Sequence, residues 1–180
     1  MELIESTYGK ATACRPVPAG KLEKYKGLLP PVLVGTWAER GWCAYGGGLL
    51  WLTDPDDYAE ITALWKPDAK NMPCFARTAF GDLFLWKGTG VTFIDVVEGE
   101  TWNFPGSWEE FEKFVTEPVW RMSALRTDVF EEALARVGPP EYEEVYAFEP
   151  AVSLGGPATA DTVERRNLFA HLEFLRQIQD

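Results

Sequence analysis

The sequence has one histidine, His171, and three cysteines, Cys14, Cys43 and Cys74, with no Cys-x-x-Cys pair. One histidine excludes a histidine-based metal site, and scattered cysteines do not make a thiolate zinc site. An odd cysteine count without close spacing argues against a disulfide framework. The thiols are therefore expected to be reduced and mostly buried, as in a cytosolic protein. No run of about 18 apolar residues occurs, which excludes a membrane-spanning helix. Residues 1–5 are not a basic stretch leading into an apolar run, so no secretory signal is read there.

Basic residues are scarce in the second half. Residues 1–90 carry ten Lys/Arg and ten Asp/Glu, whereas residues 91–180 carry seven and eighteen, so the net charge of −11 lies in the second half. Such a surface repels phosphate, which argues against direct binding to nucleic acid or an anionic membrane. It suits a basic protein partner.

Motifs for catalysis are equally thin. A Ser-His-Asp or Cys-His arrangement could use only His171, and no nucleophile motif surrounds it. It stands beside Leu172, at the edge of an apolar helical stripe, and is read as a partly buried structural residue. Gly46-Gly47-Gly48 lacks the Gly-Lys-Ser/Thr of a phosphate loop and leads into a strand. Asp54, Asp56 and Asp57 lack calcium-loop spacing and its closing Glu. Neither a cofactor nor a metal is expected. An acid pair in an aromatic cleft would be invisible to sequence spacing, which leaves a small enzyme as one alternative.

What is present is apolar and aromatic. Apolar residues make up 46% of the 180, with eight Trp and eleven Phe, enough for a sizeable core. The stretch Phe75–Trp86 places two apolar runs around Gly81-Asp82 and is predicted to be a tight hairpin at the centre of a sheet. Trp42–Tyr45 and Leu49–Leu52 flank the glycine triplet as a second hairpin. Residues 91–97 and 100–104 read as further strands. Helices are predicted over Lys21–Leu29, from Pro31 to Arg40 with Gly41 as C-cap, from an Asp54 N-cap with Pro55 first in the helix, after the capping box at Ser107, and over Thr127–Val137. A last helix is predicted from Asp161 to about Gln179, with Leu168, Leu172 and Leu175 on its buried stripe. Glu141, Glu143, Glu144 and Glu149 alternate with Tyr142, Val145, Tyr146 and Phe148, which suggests an extended segment with an acidic face. The fold class is α+β, a mostly antiparallel sheet of hairpins packed against several helices.

The series Gly41-Trp42, Tyr45, Gly48, Trp51, Asp54-Pro55 and Tyr58, followed by residues 76–83, Ala-Arg-Thr-Ala-Phe-Gly-Asp-Leu, resembles the GAD-like domain of bacterial immunity proteins. Downstream, Tyr146–Pro150, Leu154-Gly155-Gly156 and the Leu-rich final helix resemble the Tdi-type C-terminal domain. The resemblance implies a GAD-like segment over 1–103 and a Tdi-type segment over 104–180 sharing one core. It also implies a cytoplasmic immunity protein of type VI secretion that binds a cognate toxin, often a nuclease. It carries over no catalytic residue. The expected partner has a basic nucleic-acid-binding surface. From charge, Glu141, Glu143, Glu144, Glu149 and Glu109 are the candidate toxin contacts. An SMI1/KNR4-like adaptor or regulatory module is the other alternative.

Overall fold

The computed structural model describes residues 1–179. Seven strands form one antiparallel sheet in strict sequence order: β1 (Thr12–Arg15), β2 (Trp42–Tyr45), β3 (Leu50–Leu52), β4 (Cys74–Thr78), β5 (Leu83–Trp86), β6 (Gly90–Asp95) and β7 (Glu100–Pro105). Strands β8 (Glu144–Phe148) and β9 (Val163–Asn167) form a separate antiparallel pair. The α+β class is as expected, and β4 of the Phe75–Trp86 hairpin is the middle strand.

Eight helices surround the sheet among the described residues. They are α1 (Glu2–Tyr8), α2 (Ala19–Tyr25), α3 (Pro31–Arg40), α4 (Ala59–Trp65), α5 (Trp108–Thr116), α6 (Pro118–Ser123), α7 (Thr127–Val137) and α8 (Leu168–Ile178). Among the described residues, no helix is long and apolar enough to cross a membrane. Every residue of β2 to β6 is buried, so these strands are covered on both faces. That explains their continuous apolar runs, where a half-exposed strand would alternate. Phe84 and Phe93 on adjacent strands meet Phe111 of α5 and Trp120 of α6. Trp51 and Arg77, paired across β3 and β4, instead meet Tyr142.

Several local expectations hold. Ser107 caps α5 in a two-way capping box with Glu110, and α7 spans the expected residues. Pro31 opens α3 and Gly41 closes it.

Others need correction. Helix α4 starts at Ala59, not after Asp54. The Asp54 side chain accepts from the Asp56 amide at 3.1 Å, and residues 54–57 form a turn. Lys21 pairs with the Asp54 and Asp56 carboxylates at 2.7 and 2.6 Å. The last helix starts at Leu168, because Asn167 is its N-cap and residues 163–167 are strand β9. Asp161 lies in a short 3-10 turn before that strand.

The cysteines are also not all reduced. Cys14 and Cys43 are joined by a disulfide across β1 and β2, leaving Cys74 as a buried free thiol. The partners are 29 residues apart in sequence, so only the pairing of the two strands brings them together.

Candidate partner-binding surface

The turn of the central hairpin, Ala79-Phe80-Gly81-Asp82, positions the second half of the chain. The Tyr146 amide donates to the Ala79 carbonyl at 2.8 Å. The Phe80 ring stacks on Phe148, with centroids 5.3 Å apart. Gly81 has φ 93°, and a β-carbon there would stand 2.8 Å from Leu172 of α8. Only glycine satisfies both the left-handed backbone and that close approach.

Two buried arginines complete the seam. Arg77 is fully buried on β4. It donates to the Tyr58 hydroxyl at 3.0 Å and to the carbonyls of Tyr142 and Glu141 at 2.8 and 3.3 Å. It thereby fixes the backbone where the acidic strand begins. Arg126, just before α7, donates twice to Asp95 at 2.8 and 2.7 Å and once to Asp82 at 3.1 Å. Asp82 also accepts from Thr78 Oγ1 at 2.7 Å and from the Val96 amide at 3.1 Å.

One guanidinium cannot neutralise two buried carboxylates. Burial first, and then the charge of Asp95, push the Asp82 pKa up to about 7. The unfolded value is close to 3.9. Between those values the folded chain holds a proton that the unfolded chain has released, so this group's effect is least unfavourable below about pH 4 and stability falls toward pH 7. Asp82→Asn cannot ionise. Urea denaturation in buffers from pH 4.5 to 7.5 should therefore show wild type losing stability relative to Asp82→Asn as pH rises. A constant difference across that range would refute the raised pKa.

The candidate contacts sit on different parts of this scaffold. Glu141 and Glu143 are exposed at the start of the acidic segment. Glu144 begins β8, 3.6 Å from Arg165, and also accepts from the Glu141 amide. Glu149 follows β8 and is held by Arg166 through two bonds of 2.6 and 2.8 Å. Glu109 is exposed in the first turn of α5, on the element that packs against Phe84. The structure thus groups four of the five along β8, and β9 places an arginine against two of them. Arg165 and Arg166 fall within the helix expected from Asp161; the structure places them on β9 instead, which brings them against these acids.

An apolar groove of about 570 Å³ adjoins Glu149, lined among others by Phe148, Pro150, Leu154, Ala170, His171 and Phe174. Leu154 and Phe174 are 59% and 43% exposed, high for large apolar side chains. Phe174 lies outside the Leu168, Leu172, Leu175 stripe, a phase signal readable in the sequence. His171 is half-buried, and desolvation pushes its pKa down to about 4, so it is neutral at pH 7. A second cleft of about 450 Å³ opens where β1 and the 46–48 turn meet Pro139–Tyr142. Among the described residues, no group of three or more His, Cys, Asp or Glu could hold a metal ion.

Residues 1–97 match the GAD-like domain family, and residues 107–179 match the family described as T6SS immunity protein Tdi1, C-terminal. No curated protein matches the chain. Among solved structures, the crystal structure of Atu4351 from Agrobacterium tumefaciens is similar, with 16% identity and a TM-score of 0.77. The match covers 98% of this chain and 88% of that one. At that identity the likeness shows the fold alone.

Proposed function

The chain belongs to the GAD-like domain family and matches the Tdi1 immunity family over 107–179, and from that premise we propose that it neutralises a cognate type VI secretion toxin by direct binding. The match over 107–179 carries this reading, and it supports a binding protein rather than an enzyme. The toxin we infer is a nuclease and the compartment the cytoplasm. A nuclease presents basic residues to hold phosphate, and a half-chain with eighteen acids against seven bases complements that surface.

The contact face we favour runs along β8, from Glu141 and Glu143 to the groove beside Glu149. Exposed acids raise the association rate through steering, whereas retained affinity needs buried apolar anchors. Leu154 and Phe174 are suited to that second role, because both are exposed beside charged neighbours. The buried seam of Arg77, Phe80 and Arg126 supports treating the two matched segments as one unit that presents this face.

The test is co-expression and binding with the toxin encoded beside this gene. A stable complex and rescue of toxin-expressing cells are expected. Glu141→Lys/Glu143→Lys should slow association about tenfold at low salt, with the effect shrinking at high salt. Leu154→Asp/Phe174→Asp should instead speed dissociation and cost about 2 kcal/mol or more. Absence of both binding and rescue with the wild-type chain would refute immunity. Binding that ignores all four substitutions would move the interface elsewhere.

A further inference from the structure

Strand β1 is the edge of the large sheet, and all four of its residues are exposed. Its ladder to β2 is short: Thr12 pairs with Ala44 and Arg15 with Trp42, with a register shift between them. Ala13, inside that shift, has φ 48°, a left-handed conformation that costs energy for a residue with a β-carbon. The strand is tied down covalently by Cys14–Cys43. Cys14 is exposed and Cys43 fully buried. A β-carbon at Gly41 would fall 2.0 Å from the Arg15 carbonyl oxygen, so the bare glycine permits β1 to lie this close.

The seated strand has a consequence at the seam. It holds the Arg15 guanidinium 3.9 Å above the Tyr142 ring. Thr12, Ala13 and Arg15 form one wall of the 450 Å³ cleft, facing Pro140, Glu141 and Tyr142.

We propose that Cys14–Cys43 is a reversible thiol–disulfide site and that its state decides whether β1 stays seated as a wall of this cleft. The reductant is a dithiol protein of the thioredoxin class. Its thiolate attacks the exposed Cys14 sulfur and forms a mixed disulfide, while Cys43 leaves as a thiolate and takes up a proton. The second thiol of the reductant then attacks the mixed disulfide. Cys14 is released and protonated, and the reductant departs as a disulfide. Two electrons and two protons have passed to the protein, and a disulfide donor reverses the exchange. In the cytoplasm such bonds are transient and redox-sensing more often than structural. Once open, β1 is held only by its short ladder around a strained residue. Arg15 then leaves the Tyr142 ring, and the cleft loses its β1 wall.

Hydrogen exchange and alkylation of the full chain test this without any toxin. The oxidised protein should offer one alkylatable thiol, Cys74, and only after denaturation. Treatment with thioredoxin, its reductase and NADPH should free two more. Amide exchange over residues 11–17 should then accelerate at least tenfold, with β5 and β6 unchanged. Cys14→Ser should show the fast exchange with or without reductant. Complete reduction with no change over residues 11–17 would overturn the proposal. So would loss of protection throughout the sheet, or Cys14 and Cys43 remaining alkylatable after oxidised glutathione.

Discussion

Arg126→Ala should destabilise the protein by about 3–5 kcal/mol, the range for removing one partner from a buried ion network. For a chain of this size that lowers the melting temperature by roughly 10 °C. The cause is desolvation of what remains. Asp82 and Asp95 are 0% and 1% exposed, and Arg126 is the cation between them. Its removal leaves two buried carboxylates sharing only neutral donors. Replacing the whole network, with Asp82→Asn, Asp95→Asn and Arg126→Met together, should restore part of the loss, because no uncompensated charge is then buried. Thermal or urea denaturation of the single and triple variants measures both. A loss below about 1 kcal/mol for Arg126→Ala would mean that water reaches the carboxylates.

Phe80→Ala should cost a similar amount by a different route, about 3–5 kcal/mol through lost burial and the cavity left behind. The ring is fully buried and stacks on Phe148 with planes 6° apart. Tyr146 and the Arg126 guanidinium lie 5.9 and 5.7 Å from it. These neighbours are fixed to β8 or to the ion network, so the void cannot collapse easily. Phe80→Leu should cost less, since it keeps most of the volume. No titratable group is removed, so the Phe80→Ala loss should stay level across pH 5–7, whereas the Arg126→Ala loss should vary with pH. Equal pH profiles for the two variants would contradict this separation.

Much of the fold is legible because it is local. The hairpins at 42–52 and 75–86 are bounded by glycines, and the capping box and Pro31 mark helix starts that the structure keeps. What was lost depends on contacts distant in sequence. Nothing near Asp54 signals Lys21, thirty-three residues earlier, which holds its carboxylate. The stretch Val163–Asn167 is polar and short, and becomes a strand because Glu144–Phe148 lies alongside it. With that strand went the arginines that balance Glu144 and Glu149. The disulfide was hidden for the same reason. Charge marks the second half as acidic and helical phase sets Phe174 outside the buried stripe, but that Leu154 and Phe174 line one groove beside Glu149 is visible only in three dimensions.

The sheet pairs each strand only with its neighbour in sequence, β1 through β7, and is complete at residue 105. Each strand of this meander pairs with one already made, even where α2 and α3 lie inside the β1–β2 connection and α4 inside the β3–β4 connection. On a ribosome, every ladder of the seven-stranded sheet can therefore form before the segment at 107–179 has emerged. Asp82 and Asp95, which the sheet segment contributes, take their cation from Arg126 of the later segment. The segment matched over 107–179 therefore seals, through Arg126, a pair of carboxylates that the sheet alone leaves without a cation.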